Sequence, residues 1–138
     1  MKTFLHTYQK LNANNLETLK DIYRDDVQFI DPAHEISGIT NLTEYFASLY
    51  RNIDSINFSF NKPVVHANHS YVSWKMTFSH KNLARGKSIT IEGMTYLQFD
   101  EHNKVYHHRD YFDLGAMLYE HIPLIGRIIK WIKRGLGK

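Results

Sequence analysis

The stretch VSWKMTFS at residues 72–79 decides the fold class, because its apolar and polar side chains alternate without interruption. Alternation with a period of two predicts a β-strand with one buried and one solvated face, the pattern of antiparallel sheets. Similar runs lie at 56–60, 88–99 and 104–113, and the polar residues 100–103 form a predicted hairpin turn between the last two. The second half of the chain is therefore predicted to be a meander of strands.

The first half of the chain has helical spacing instead. Apolar residues recur at intervals of three and four over 3–12, 15–24 and 42–53, which predicts three helices. A short strand over 27–31 is predicted to end at Pro32, which cannot donate a ladder hydrogen bond. Helices followed by antiparallel strands predict an α+β fold, with three N-terminal helices packed on a curved, mostly antiparallel sheet.

The composition bounds the kind of protein. With 138 residues, 43% of them apolar, the chain is long enough to bury a core, and we expect one domain over 1–138. The absence of cysteine excludes disulfides, thiol nucleophiles and thiolate metal sites. The first residues do not have the pattern of a signal peptide, and no apolar run reaches the ~18 residues that would span a bilayer. We therefore expect a cytoplasmic protein.

The positive charge is concentrated at one end. Residues 127–138 hold five of the 17 lysines and arginines and no acid, so residues 1–126 carry 12 basic against 14 acidic side chains, a net charge of −2. Nucleic-acid-binding domains usually carry a basic patch on the folded body. We therefore expect no nucleic-acid partner.

Two motifs resemble a known family. The run YRDDVQFIDP at 23–32, followed by Gly38 and the helix 42–53, resembles the ketosteroid isomerases and the wider SnoaL-like group. The run HRDYFD at 108–113 resembles the last strand of SnoaL-like proteins and limonene-epoxide hydrolases. The resemblance covers roughly 3–114 and implies the cone-shaped NTF2-like (ketosteroid isomerase-like) fold, as a homodimer around one apolar pocket.

The resemblance also implies roles for single residues. Asp31 matches the isomerases' catalytic base, and Tyr8 is the nearest match to their tyrosine donor. Thr95 stands where the isomerases have a second, acidic donor, so that set is incomplete. Asp110 matches the single carboxylate base of SnoaL-like proteins, whereas the inward positions of 72–76 lack the charged partners of the epoxide hydrolases.

The period of the last strand groups the candidate site residues. If Asp110 faces inward, alternation puts Tyr106, His108 and Phe112 on the same face. A carboxylate and an imidazole on one apolar face can move a proton. We therefore predict Asp110 as a base. Asp31 is the predicted second acid or base, and His108 and Tyr8 are the predicted proton donors or orienting residues. The candidate catalytic residues are Asp110, Asp31, His108 and Tyr8.

The predicted ligand is a small, largely apolar molecule, since pockets of this fold class are mainly apolar. The candidate ligand-binding residues are Trp74, Met76, Phe58, Tyr106, Phe112, Thr95 and His34. The sequence has no phosphate loop, dinucleotide fingerprint or metal-binding histidine spacing, so we expect no cofactor and no metal. Two functions stay open. One is a cofactor-independent isomerase, cyclase, dehydratase or hydrolase step on a polyketide-, terpenoid- or lipid-like substrate. The other is a non-catalytic ligand-binding or accessory protein with the same pocket.

The extension 114–138 ends in an amphipathic pattern. Isoleucines at helical spacing, together with Trp131 and the basic residues, predict a helix over 124–135. Two arrangements of this helix stay open. It either packs on the body or on a partner subunit, or it makes peripheral contact with an anionic membrane surface.

Overall fold

The computed structural model describes residues 1–137, which form five α-helices and a seven-stranded sheet. The helices are α1 (Lys2–Lys10), α2 (Leu19–Ile22), α3 (Ile39–Asn52), α4 (Leu114–Met117) and α5 (Ile125–Gly135). The strands are β1 (Tyr23–Ile30), β2 (Glu35–Ser37), β3 (Ile53–Phe60), β4 (Val64–His66), β5 (His69–His80), β6 (Ile89–Phe99) and β7 (Val105–Phe112). Three short 3₁₀ turns lie at Leu16–Thr18, Ala84–Gly86 and Tyr119–His121.

The sheet is curved and open, with strand order β2-β1-β7-β6-β5-β3 and β4 paired to β5. All its pairs are antiparallel except β1 and β7, which run parallel. The hairpin predicted at 100–103 joins β6 to β7. The predicted α+β cone, with three N-terminal helices and an extra C-terminal helix, is confirmed.

Two apolar clusters hold the fold together. The larger joins the N-terminal helices to the inner face of the sheet and includes the fully buried Leu19, Leu42 and Leu97. The smaller is centred on Trp74 and Phe78. Between the two clusters, the chain encloses the cavity described below.

The prediction of a helix over 15–24 was wrong at its last two residues, which belong to β1. After the turn at Leu16–Thr18 and the single turn of α2, the backbone becomes extended at Tyr23, with φ −112° and ψ 142°. Tyr23 is fully buried and pairs with Val105 of β7. The sheet contacts outweigh the helical spacing of the local sequence, because tertiary packing commonly overrides intrinsic propensity.

The other differences lie at element ends. Helix α3 starts at Ile39 rather than at residue 42, directly after Gly38, whose φ of 86° suits glycine. Strands β2 and β4 are three residues each and have no sequence pattern long enough to predict them. The helix predicted over 124–135 is confirmed as α5. Among residues 1–137, no helix combines the length and apolar content needed to cross a bilayer.

Candidate functional site

A cavity of about 670 Å³ lies between the N-terminal helices and the sheet. Apolar side chains from α1, α3, β3, β5 and β7 supply most of its lining, and residues of the segment 114–122 close one side. This volume is in the range that binds small organic molecules. The polar side chains that reach the cavity are the ones that could orient a ligand or act on it.

The pairing of β6 with β7 aims two of these polar groups inward. Thr95 lies directly opposite Asp110, and Leu97 lies opposite His108. Because successive side chains alternate between the faces of a strand, Asp110 and His108 share one face. His108 is buried, and the Asp110 side chain is 12% exposed, at the cavity wall.

Two donors hold one oxygen of the Asp110 carboxylate. The Thr95 hydroxyl donates to Asp110 Oδ1 at 2.5 Å, and His108 Nε2 lies 2.8 Å from the same oxygen. Thr95 is itself fixed, because the indole N–H of Trp74 donates to its hydroxyl oxygen at 2.8 Å. The carboxylate is therefore held in one orientation by neighbours on β5, β6 and β7.

Tyr23 fixes the tautomer of His108. Its hydroxyl lies 2.7 Å from His108 Nδ1 and has no other partner among residues 1–137. An ionised carboxylate only accepts, so the Nε2 that faces Asp110 Oδ1 carries a ring proton, and in the neutral ring Nδ1 then accepts the proton of the Tyr23 hydroxyl. Burial, with a smaller contribution from the charge of Asp110, raises the pKa of Tyr23 well above its usual value, so the phenol keeps this proton.

Among the candidate catalytic residues, two polar atoms are left for a ligand. Asp110 Oδ2 and the Tyr8 hydroxyl have no hydrogen-bond partner in the part of the chain that the structure describes, and both side chains line the cavity. No side-chain oxygen there is both fully buried and unpaired, so the two atoms are open to the cavity. Burial raises the pKa of Tyr8 well above its usual value, so Tyr8 is a neutral donor beside an acceptor carboxylate.

Asp31 also lines the cavity, but its carboxylate is engaged in the turn after β1. Oδ1 accepts from the backbone N–H groups of Ala33 and His34 at 2.8 and 2.7 Å. Oδ2 accepts from the Tyr45 hydroxyl at 2.7 Å. His34 lies at the cavity lining beside Asp31, with its Nδ1 3.1 Å from Oδ1 and half of its side chain exposed. Asp31 therefore caps a turn and anchors a tyrosine.

The predicted ligand-binding residues lie at the cavity with one exception. Those that line it are Phe58, Trp74, Met76, Thr95, Phe112 and His34. Tyr106 was predicted on the same face as Asp110, and this placement was wrong. A β-bulge puts one extra residue between the pairs made by Val105 and His107, which breaks the alternation at Tyr106. Its ring lies outside the cavity lining, under the Arg24 guanidinium at 4.6 Å.

Sequence analysis missed two tyrosines of the site. Tyr23 was assigned to a helix, and no local pattern links it to a histidine 85 residues away. Tyr45 was placed on the apolar stripe of α3, where helical spacing does not distinguish a core tyrosine from one that bonds a carboxylate. Burial and the hydrogen bond to Asp31 raise the pKa of Tyr45 far above its usual value.

This arrangement suits proton transfer. At an apolar cavity it offers the open oxygen of Asp110, the neutral phenol of Tyr8 and the His108 imidazole that holds the carboxylate, the groups of general acid–base chemistry. Within residues 1–137, no three histidine, aspartate or glutamate side chains come together as metal ligands.

The comparisons with solved structures agree with this fold. A solved structure provisionally assigned as a SnoaL-like polyketide cyclase, from Jannaschia sp. CCS1, has a TM-score of 0.73 at 14% identity, covering 85% of this chain and 87% of that one. TerC co-crystallised with polyporic acid has a TM-score of 0.72 at 14% identity, covering 84% and 92%. A hypothetical protein of ketosteroid isomerase-like fold from Catenulispora acidiphila, in complex with trimethylamine, has a TM-score of 0.68 at 18% identity, covering 81% and 83%.

Structural likeness at such low identity concerns the fold alone. Among curated proteins, none matches the sequence of this chain significantly. The model of the SnoaL-like domain, however, matches residues 4–108, about three quarters of the chain and nearly all of the helices and strands that build the cavity. The chain therefore belongs to the SnoaL-like family.

Proposed function

We propose that the chain is a cofactor-independent enzyme that removes a proton from a carbon next to a carbonyl group in a small, largely apolar, polyketide- or terpenoid-like substrate. The observation that carries the proposal is the state of the Asp110 carboxylate. One oxygen is held by Thr95 and His108, and the other is open to an apolar cavity. A fixed carboxylate with one open oxygen is placed to act as a general base.

The proposed step uses Asp110 and Tyr8. Asp110 Oδ2 takes the proton, and the electrons of the C–H bond form an enolate whose oxygen accepts a hydrogen bond from the Tyr8 hydroxyl. The protonated Asp110 then returns the proton to another carbon of the enolate, which completes an isomerisation. Alternatively, the enolate carbon attacks a second carbonyl and Asp110 protonates the resulting alkoxide, which completes a ring closure.

His108 is a positioning residue in this scheme. It is buried, its Nδ1 is occupied by Tyr23, and its Nε2–H points at the Asp110 oxygen that does not face the ligand. It therefore holds the base in orientation without touching the substrate. Such pre-organisation lowers the barrier because little rearrangement is needed when the proton moves.

The substrate class is supported by the cavity and by similarity. Apolar side chains dominate the lining, so an extended polar substrate would lose hydration without recovering hydrogen bonds. The provisional assignment of the Jannaschia protein as a polyketide cyclase concerns that protein, but it supports the same class of ligand for a cavity of the same fold.

A non-catalytic binding protein is the second candidate. The observation that favours it is the occupation of Asp31, which leaves Asp110 as the one carboxylate of the predicted pair with an oxygen open to a ligand. A protein that only binds an apolar molecule would keep the cavity and would not accelerate proton exchange.

Hydrogen exchange from solvent separates the two candidates. We expect the intact chain to accelerate deuterium incorporation into bicyclic ketones such as 2-tetralone in D₂O, followed by NMR. Asp110→Asn keeps the shape and the acceptor for Thr95, and should lower this rate by at least about 100-fold without abolishing ketone binding. The matched control is Asp54→Asn, at an exposed carboxylate outside the cavity lining. Tight ketone binding with no acceleration would favour the binding protein.

A further inference from the structure

Helix α5 presents an apolar face to solvent. Ile125, Ile128 and Ile132 are 48%, 50% and 49% exposed, and Trp131 is 70% exposed. The preceding Leu124 is 69% exposed, so the face continues past the start of the helix. An apolar patch of this kind marks an interaction surface.

A different flank of α5 holds it against the body. Gly126 is buried, and a side chain there would overlap the backbone of Glu120. The Lys133 ammonium donates to the carboxylates of Asp113 and Glu120, the latter at 3.0 Å. The helix is therefore fixed to the segment 113–120 in an orientation that leaves the isoleucine face outward.

Basic side chains lie on the side of α5 opposite the apolar face. At 100° per residue, Lys130, Arg134 and Arg127 point roughly 100–160° away from Ile128 and Ile132. These three basic side chains have no carboxylate partner within residues 1–137. Residues 121–138 contain no aspartate or glutamate at all. An apolar stripe with tryptophan and an all-basic polar side is the composition of helices that lie in a membrane interface.

We propose that α5 docks the protein on an anionic phospholipid surface, with the isoleucine face and Trp131 at the acyl boundary and the basic side chains at the headgroups. Charge favours this occupant over a second copy of the chain. A second copy offers the same helix with basic charges only, so it has no charge to complement Arg127, Lys130 and Arg134, whereas anionic headgroups do. With 11 residues, α5 is too short to span a bilayer and would have to lie along its surface.

Docking would also orient the cavity. The segment that holds α5 supplies Leu114, Met117 and Leu118 to the cavity lining, and Ile122 follows directly after it. A membrane-bound α5 therefore brings this wall of the cavity close to the bilayer. An apolar substrate could then pass from the lipid into the cavity and reach Asp110. Only this substrate transfer rests on the proposed function; the docking of α5 does not.

Vesicle co-sedimentation of the full chain tests the docking. We expect binding to phosphatidylcholine vesicles that contain phosphatidylglycerol, little binding without it, and weaker binding as salt is raised. The double variant Lys130→Glu/Arg134→Glu should bind at least about ten-fold more weakly, since each basic residue contributes to attraction at the surface. Ile128→Ser/Ile132→Ser should also lose binding. The matched control, Lys62→Glu/Lys87→Glu, makes the same charge change at exposed positions of the body and should bind nearly as the parent does.

Three results would overturn the proposal. They are no binding of the intact chain at low salt, equal loss in the control and α5 charge variants, or a dimer that Ile128→Ser/Ile132→Ser splits while no form binds lipid. Circular dichroism and thermal unfolding establish that each variant folds. The α5 variants lie outside the cavity lining, so they should leave exchange of a water-soluble ketone unchanged. Lipid binding without ketone exchange would reject the proposed activity and keep the docking.

Discussion

His108 Nε2 lies 2.8 Å from Asp110 Oδ1, and the two residues are neighbours on the same face of β7. The donors around this pair form a directed chain. Tyr23 donates to His108 and His108 to Asp110, while Trp74 donates to Thr95 and Thr95 to the same carboxylate oxygen. Each buried donor in the chain has an acceptor, so removal of one member leaves a neighbour unpaired.

The first prediction concerns Tyr23, the outer end of this chain. Tyr23→Phe keeps the ring but leaves His108 Nδ1 buried without a donor, which should lower the free energy of unfolding by about 1–3 kcal/mol. Urea unfolding measures the change. The ¹⁵N signals of the ring should show a bare Nδ1 and a protonated Nε2 in the parent protein, and a shifted Nδ1 in the variant.

A second tyrosine provides the control for Tyr23. Tyr71 is 43% exposed, so Tyr71→Phe should change the free energy of unfolding by less than about 0.5 kcal/mol. A parent protein with Nδ1 protonated would contradict the assigned direction of the hydrogen bond, because Tyr23 would then have no acceptor.

The second prediction tests whether the hydroxyl group of Thr95, rather than the shape of its side chain, positions Asp110. Thr95→Val leaves the Trp74 N–H without an acceptor and removes one donor from Asp110, which should cost about 1–3 kcal/mol of stability. Ketone exchange should fall by at least about ten-fold, since the base loses part of its orientation. Thr95→Ser restores the hydroxyl and should recover most of both quantities. Equal activity in the Val and Ser variants would show that the hydroxyl does not position Asp110.

The long strands could be predicted because their sequences alternate cleanly. The stretch 72–79 lies wholly within β5, where one face meets the core and the other meets water. The run that begins at Tyr23 has no such alternation in its first residues, and the helical spacing before it is equally regular. Only its pairing with Val105, about 80 residues later, makes it a strand. A local pattern cannot contain that information.

The part of the candidate site on β7 could be predicted only where that strand alternates regularly. Counting by twos from Asp110 places His108 and Phe112 at the cavity, as the structure does. The same count fails at Tyr106, because the bulge near the hairpin shifts the phase by one residue. Asp31 was placed at the cavity by resemblance, but its hydrogen bonds depend on the turn that follows β1, which the spacing of residue types does not specify.

The third prediction concerns the close approach of Trp74 to β6. Gly93 lies opposite Trp74 across the β5–β6 pair, and a Cβ at Gly93 would overlap the indole ring. Gly93→Ala should therefore displace the ring, weaken its bond to Thr95, and destabilise the protein by about 1–3 kcal/mol. Urea unfolding and Trp fluorescence measure the two effects.

A second glycine provides the matched control for Gly93. Gly135 ends α5 with nothing within 4 Å of the position of a Cβ. Gly135→Ala should be neutral or stabilise the protein by up to about 1 kcal/mol, because alanine restricts the unfolded chain and favours helix. If Gly93→Ala were as harmless as Gly135→Ala, the indole would not need the open space above β6.

The last prediction is a loss of stability in alkali. Burial is the largest cause that raises the pKa of Tyr8, Tyr23 and Tyr45 far above the usual value, and it raises the pKa of Tyr50 to about 12. In the unfolded chain the same phenols titrate near pH ~10. Between pH ~10 and the raised pKa values of the folded state, the folded protein therefore keeps phenol protons that the unfolded chain has released.

The sign follows from this difference in bound protons. Below pH ~10 these tyrosines are neutral in both the folded and the unfolded state, so their ionisation does not reduce the free energy of unfolding. As the pH rises from ~10 towards the folded pKa values, the unfolded state loses its protons first. The free energy of unfolding should then fall by up to about 1.4 kcal/mol per pH unit for each tyrosine.

Urea unfolding over this range, with phenolate absorbance, measures the slope. Tyr50→Phe should make the slope shallower, whereas Tyr119→Phe, at a 39% exposed residue, should not. A flat stability curve above pH ~10 would contradict the burial of these phenols.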